Sequence, residues 1–308
     1  MLARCIPTLA LDPVLVEIPF PFFGLEGLPI RWYALAYIAG LFFGLWYVNQ
    51  LVRRPRLWTT HPKPVAAPMS RAFVDDLLLW IMVGVIAGGR IGYVLFYQTA
   101  AIWERPLWIA TGITEGGMSF HGGLIGVALA IFFTSRAHGV EVTRTADAVA
   151  AATPVGLLLG RLANFINGEL WGREAPGLPW AMRFAGDPEC ALRHPSQLYE
   201  ATLEGLVLFT VIAVLIWKWR ALSRPGLVAG VFLAGYGLFR ALVELVREPD
   251  THMPEALQGY VTMGMILSLP LILVGAVLIW RALKTRPDDR PGTLADTASE
   301  AAKSRQNG

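Results

Sequence analysis

Residues 72–97 read AFVDDLLLWIMVGVIAGGRIGYVLFY, a run whose only formal charges are Asp75, Asp76 and Arg90. As a helix it is long enough for the ~30 Å hydrocarbon core of a bilayer, which takes about 20 residues. Backbone amides in lipid must find partners within their own segment, so a spanning run of this kind is helical. Comparable apolar runs occur near 31–52, 119–138, 145–165, 196–219, 226–247 and 259–282. Seven transmembrane helices, and an all-α integral membrane fold, are therefore expected.

Composition points the same way. Of 308 residues, 55% are hydrophobic and 16% charged, a balance that calls for lipid as part of the solvent. The formal net charge of +3 comes from basic residues scattered between apolar runs. They form no continuous stripe, so no nucleic-acid partner is expected. Cys5 and Cys190 have neither zinc-ligand nor CxxC spacing. Both fall on the same side of the membrane by the topology below, which leaves a disulfide between them open.

Around the spans, residues 1–30 contain Asp12, Glu17 and several prolines, which interrupt what would otherwise be a signal-peptide core. They read as an interfacial arm. Residues 31–282 form the spanning domain, with an extracytoplasmic loop at about 166–195, and 283–308 form a polar, disordered cytoplasmic tail. Ala100 to Thr111, with Trp103 and Trp108, reads as a short helix in the headgroup layer.

Short loops rich in Lys and Arg stay cytoplasmic. Arg53, Arg54, Arg56, Lys63 and Arg71 follow the first span, Arg136 and Arg144 the third, Lys218, Arg220 and Arg224 the fifth, and Arg281, Lys284 and Arg286 the seventh. This alternation places the N-terminus outside and the C-terminus inside. Arg90, Arg161 and Arg240 then lie in the outer halves of spans two, four and six, with Tyr33, Ser119 and His121 at the outer ends of spans one and three. An arginine at a helix centre costs at least ~2.5–3.5 kcal/mol on insertion scales. Snorkelling would explain one such residue, and three in one layer point to a shared site. Glycine pairs at Gly84/Gly88, Gly122/Gly126 and Gly156/Gly160, among others, predict close helix crossings.

Within that layer, residues 160–173 read GRLANFINGELWGR, placing Asn164, Asn167, Glu169 and Arg173 just beyond Arg161. Arginine suits phosphate because its planar fork donates paired hydrogen bonds and keeps its charge when desolvated. A capped helix end with a polar turn is the plainer alternative. Arg240, Glu244 and Arg247 share one helical face in the reading of span six, where Glu244 either neutralises the arginines or joins a structural ion network. Residues 118–123, MSFHGG, hold His121, which is open to roles as a packing residue, a positioner or a general base. Residues 194–200, HPSQLYE, start span five with Ser196 as expected N-cap, and Gln197, Tyr199 and Glu200 near the site boundary.

Together with RWY at 31–33, GGRIGYVLFY at 88–97, SFHGGLIG at 119–126 and GYGLFRALVELVR at 235–247, these blocks resemble the prolipoprotein diacylglyceryl transferase family over roughly Arg31 to Trp280. The resemblance implies a multi-pass protein of the bacterial cytoplasmic membrane with its site toward the periplasm. It implies transfer of the diacylglyceryl group of phosphatidylglycerol to the lipobox cysteine thiol of prolipoproteins, forming a thioether and releasing glycerol phosphate, as the first step of lipoprotein maturation. Its partners would be phosphatidylglycerol, lipobox-containing signal peptides and the lipid bilayer, with no cofactor and no metal. Carried over by motif, the catalytic residues would be His121, Arg161, Arg240 and Tyr33. Substrate would be bound by Arg161, Asn164, Glu169, Arg240, Glu244, Arg247 and Arg90. The chain departs from the family pattern at Arg31 and Ala163, and its loop from Ala175 to Arg193 is short.

In the expected mechanism Arg161 and Arg240 hold the phosphate and stabilise it as it leaves. Asn164 and Tyr33 orient the headgroup, and His121 is the leading candidate to take the thiol proton, with Arg247 or Glu244 as the alternatives to it. A phospholipid transporter would need polar residues in the inner halves of the spans as well, where only Asp75, Asp76 and Asp147 stand, near helix starts.

Overall fold

The computed structural model describes residues 8–9, 11–18, 28–63, 66–112, 116–248 and 262–289. Strands β1 (Val14–Ile18) and β2 (Leu28–Arg31) form an antiparallel ribbon. Helices α1 (Trp32–Val52), α2 (Arg71–Tyr97), α3 (Ala101–Glu104), α4 (Trp108–Thr111), α5 (Phe120–Ala137) and α6 (Val142–Asn167) follow. The rest comprises α7 (Ser196–Glu200), a π-helical stretch (Ala201–Val207), α8 (Leu208–Trp219), α9 (Leu227–Val243) and α10 (Met263–Lys284).

Among the described residues, five helical segments are long and apolar enough to cross a membrane: α1, α2, α6, the continuous helix Ser196–Trp219, and the stretch Gly264–Lys284 of α10. α5 and α9 are apolar but shorter. The helices carry large apolar side chains on their outer faces, among them Phe42, Trp46, Ile86, Phe96, Leu273 and Trp280. Such surfaces suit lipid and would be a liability in water. The chain is thus helical and multi-pass, with β1–β2 as its only named sheet among the described residues.

The chain divides into two compact units. One holds Met1–Tyr47 and Asp147–Pro287, the other Val48–Ala146 and Asp288–Gly308. In the first, α9 lies against α10 at small residues: a Cβ on Gly230 would stand 2.9 Å from the carbonyl oxygen of Gly275. The α9 N-terminus is capped by Asp147, which accepts from the backbone N–H groups of Gly226 (2.7 Å) and Ala229 (2.8 Å). In the second, α2 crosses α5 with backbones in near contact at Gly84, Gly88, Gly122 and Gly126. That is the tight crossing expected of the glycine spacing, since any larger residue would push the helices apart. The Gly156/Gly160 pair differs, for a Cβ at either position would meet open space.

Three local expectations are corrected. The sixth helix stops at Val243 and not near 247, because the chain turns there and Arg247 bridges Gly172. Ser196 does not cap α7; its hydroxyl donates to the carbonyl of Leu170 at 2.9 Å. The segment after α2 forms two single helical turns, α3 and α4, in place of one helix. Cys190 is disulfide-bonded, whereas Cys5 lies outside the described residues. Most of the expected tail, 290–308, and much of the expected arm lie outside them too. Asp288 at the tail's start is ion-paired with Arg144, and its carbonyl accepts from the Thr60 N–H at 2.8 Å.

Candidate functional site

Within the first unit, three guanidinium groups gather around one buried carboxylate. Glu200, at the end of α7, lies 3.2 Å (Oε2) from Arg161 Nε on α6, and its Oε1 lies 3.4 Å from Arg240 Nη1 on α9. The same Oε1 accepts from Arg247 Nη1 at 3.0 Å. Arg240 is also ion-paired with Glu244, four residues on, and Arg247 Nε stands 3.8 Å from the same Glu244 oxygen. Glu204, in the π-helical stretch, lies 3.6 Å from Arg161 Nη2. Glu200 and Glu204 are wholly buried, while the arginine side chains keep 12–17% of their surface exposed. Three arginines thus face three glutamates, and their formal charges cancel.

The chain reaches this arrangement by local devices. After α6 the backbone turns at Gly168 and Leu170, both with φ near +60°. For Leu170 this left-handed conformation costs roughly 1–2 kcal/mol, so neighbouring bonds must hold it. Its carbonyl takes the Ser196 bond, and the preceding carbonyl, of Glu169, accepts from Gln197 Nε2 at 2.6 Å. These bonds fasten the start of α7 to the end of α6 and bring Glu200 beside Arg161. A π turn then carries Glu204 to the same arginine; i→i+5 bonding broadens the helix, a feature often found at functional sites. Arg247 is placed by backbone pairing. Arg173 N donates to Val246 O at 2.8 Å and Arg173 Nε to Arg247 O at 2.9 Å. Gly172 makes this possible, because a Cβ there would meet the backbone of Val246 and stand 2.8 Å from His194 Cβ.

Asn164, Glu169 and Tyr33 belong to the same unit. Asn164 Nδ2 and Asn167 Nδ2 both donate to Glu169 Oε1, at 2.8 and 3.2 Å, which makes a polar cap at the end of α6. Tyr33, in the first turn of α1, shares a 3.2 Å hydroxyl contact with Tyr37. Tyr33 and Tyr236 are both within electrostatic reach of Arg161. Of the residues expected from sequence, Tyr33, Arg161, Asn164, Glu169, Arg240, Glu244 and Arg247 are therefore in one unit. His121 and Arg90 are in the other.

In that second unit His121 is the second residue of α5 and exposed, two positions after the N-cap Ser119. Arg90 is 3% exposed and occupied by backbone. Its Nε donates to Ile109 O (2.8 Å), Nη1 to Gly116 O (2.8 Å) and Nη2 to Trp108 O (3.0 Å), with the Trp108 ring centroid at 4.2 Å. It ties the α3–α4 region to α2. Substrate binding was expected of it, but its donors are already engaged by main-chain carbonyls.

Two cluster members stand outside the set expected from sequence: Glu200 reads there only as a residue near the site boundary, and Glu204 belongs to none of the motifs. The available signal was a pair of carboxylates four residues apart inside an apolar span, each expensive there without a partner.

The loop after α6 carries a second ionic knot, outside the spans. Arg193 binds Asp187 through Nε at 2.7 Å, Glu248 through Nη1 at 3.1 Å, and also Glu189. Burial of Asp187 disfavours its charged form, yet the bonds from Arg193 and from the backbone N–H groups of Glu189 and Ala191 prevail and hold its carboxyl below the usual carboxylate range. Burial pushes the His194 imidazole down from its ordinary value, and its Nδ1 contacts Tyr199 Oη at 3.2 Å.

A buried group of charges with arginines partly open can exchange one anionic partner for another. Comparison with known proteins gives that chemistry a context. The family profile described as "Prolipoprotein diacylglyceryl transferase" matches residues 21–281. A protein of Rhodospirillum rubrum named phosphatidylglycerol--prolipoprotein diacylglyceryl transferase is 53% identical over 290 residues, covering 93% of this chain and 98% of its own. One of the same name from Brucella anthropi is 45% identical over 280 residues (91% and 94%), and one from Brucella canis 47% over 274 (89% and 92%).

Proposed function

The chain belongs to the prolipoprotein diacylglyceryl transferase family, and from that premise we propose that it transfers the diacylglyceryl group of phosphatidylglycerol to the lipobox cysteine of prolipoproteins. What carries the reading to particular residues is the convergence of Arg161, Arg240 and Arg247 on Glu200. In the transfer a sulfur–carbon bond forms and the carbon–oxygen bond to phosphate breaks, the electron pair leaving with the phosphate oxygen. Negative charge grows on that phosphate. Guanidinium groups held in place before the reaction stabilise it, an effect typically worth ~3–4 kcal/mol per donor in a site shielded from water.

Arg161 and Arg240 are the proposed phosphate ligands, with Arg247 as a third cation whose position depends on the Gly172–Arg247 bridge. Asn164, Glu169 and Tyr33 are assigned the glycerol hydroxyls and headgroup orientation, roles suited to amide, carboxylate and phenol groups. Glu244 keeps Arg240 and Arg247 in register. His121 is retained as the proposed base for the thiol, since an imidazole accepts a proton near neutral pH. The products are a thioether and glycerol phosphate.

Seven spans, with α5 and α9 as the two short ones, form the proposed topology in the cytoplasmic membrane. The N-terminus is outside, the C-terminus inside, and the arginine cluster lies toward the periplasm. Support comes from the alternation of Lys and Arg in the loops. The deciding experiment reconstitutes the purified chain with glycerol-labelled phosphatidylglycerol and a lipobox peptide. Label in thioether linkage on the cysteine is the expected result; its absence in a folded sample, verified by melting curve, would overturn the assignment.

A further inference from the structure

Glu204 is the odd member of the charge cluster. Its side chain is wholly buried, and neither carboxylate oxygen has a hydrogen-bond partner. Its nearest cation, Arg161 Nη2, is 3.6 Å away, whereas Glu200 accepts a 3.0 Å bond from Arg247 and lies near two further arginines. Glu244 is ion-paired with both Arg240 and Arg247. Gly205, the next residue, packs so closely on α6 that a Cβ there would stand 2.8 Å from Leu158 Cα, which fixes Glu204 against the helix that carries Arg161.

The charge balance then sets a condition on substrate binding. With three arginines opposite three glutamates, the cluster is formally neutral, and a phosphodiester headgroup adds one negative charge. An uncompensated charge in a buried site is strongly unfavourable, and carboxylates in that position take up a proton instead. On the reading that phosphatidylglycerol binds at Arg161 and Arg240, we propose that Glu204 takes up a proton when the headgroup docks, so that lipid binding and protonation of this one carboxylate are coupled. An O–H bond forms on Glu204, one proton leaves the aqueous phase, and no electrons are exchanged. The cluster remains neutral with phosphate in it, and the new carboxylic acid becomes a hydrogen-bond donor beside Arg161.

The choice of Glu204 rests on all the groups that face it. Arg161 faces it from α6, and Glu200 precedes it on its own helix. Arg240 and Tyr236 face it from α9, and Arg247 from the turn beyond. α8, directly following, carries only Lys218 as a charged residue, close to its far end. The three arginines cannot release protons near neutrality. Glu200 is ion-paired with all of them and accepts a hydrogen bond from Arg247, which leaves Glu204 as the carboxylate of this pair with no hydrogen bond on either oxygen.

The test titrates dioctanoyl phosphatidylglycerol into the detergent-solubilised full chain by calorimetry, between pH 5 and pH 9, in buffers of different ionisation enthalpy. The wild type is expected to take up as much as one proton per lipid bound, with affinity falling about tenfold per pH unit where uptake is complete. Phosphatidylcholine of the same chain length, which adds no net charge, should give no uptake. Glu204→Gln should bind phosphatidylglycerol with no uptake and no pH slope, and Glu204→Asp should restore both.

Zero uptake by the wild type across the range, while it still prefers phosphatidylglycerol, would overturn the proton coupling and leave the transferase reading intact. Uptake that persists in Glu204→Gln and vanishes in His121→Gln would assign the proton elsewhere and overturn it as well. No preference for phosphatidylglycerol over phosphatidylcholine at any pH would defeat the headgroup assignment itself, and the proposal with it. The wild-type measurement decides the coupling even where Glu204→Gln fails to fold.

Discussion

Arg90 and Arg161 are both arginines within apolar helices, yet their surroundings differ in kind. Arg90 is enclosed by the carbonyls of Trp108, Ile109 and Gly116 and by an indole ring. Arg161 faces the carboxylates of Glu200 and Glu204. Carbonyls are fixed parts of the chain and cannot leave, so an arginine satisfied by them is a structural tie. A carboxylate is one anion among several that a guanidinium accepts, so an arginine held that way can receive a phosphate when its first partner is rearranged or neutralised. The two regions show that the identity of the partner, more than depth or burial, separates a tie from a site.

The contrast is sharpest at Arg161→Ala. Loss of the fork next to the leaving phosphate should lower kcat/KM by about 10³-fold, as for a preorganised donor at a developing anion. A turnover assay with phosphatidylglycerol and lipobox peptide measures it, and a loss under tenfold would demote the cluster to a structural network. Next comes Glu200→Gln, which keeps the shape but removes the anion shared by three arginines. Breaking a buried pair in this way costs ~3–5 kcal/mol, and we expect a lower Tm together with a fall in kcat/KM of about 10–100-fold. Unchanged stability would show that the three contacts to Glu200 carry little energy.

Arg90→Gln should act on the fold in the main. Its bonds to main-chain carbonyls involve a charged donor, each typically ~1.5–3 kcal/mol, so a clear drop in Tm is expected. Phosphatidylglycerol affinity of the folded fraction should stay at least tenfold closer to wild type than in Arg161→Ala. Equal affinity losses in the two variants would erase the distinction between them.

The smallest effect is expected at Asp187→Asn in the loop knot. The Asp187 carboxyl is held below its ordinary value in the folded chain, so the ionised form contributes stability above the unfolded carboxylate pKa of ~3.9 and loses it as pH falls through the lower folded value. At neutral pH the variant should melt about 2–4 °C lower, and the gap should close in acid below about pH 4. A gap that widened in acid would reverse the sign of the Arg193–Asp187 linkage.

Much of this protein is legible in order along the chain. Hydropathy alone placed the helical segments within a few residues, because the need to satisfy backbone amides in lipid is local and leaves little choice. The motifs from GRLANFINGELWGR to HPSQLYE marked the family and most of the polar residues that share the first unit. The glycine spacing foretold the α2–α5 crossing, since close backbone approach is written in the absence of side chains.

Other features depended on contacts between distant segments. Helix α9 ends at Val243 because Arg173 draws Val246 into a backbone pairing, which no pattern within 226–247 announces. Ser196 serves Leu170 and not its own helix, for the turn at Gly168–Leu170 brings that carbonyl within reach. Arg90 could not be told from Arg161 by sequence, because main-chain carbonyls have no sequence signature. The partnership of residues 161, 200, 204, 240 and 247 arises only when α6, the π-turned helix and α9 pack together, since an ionic contact depends on the distance between charges and not on their separation along the chain.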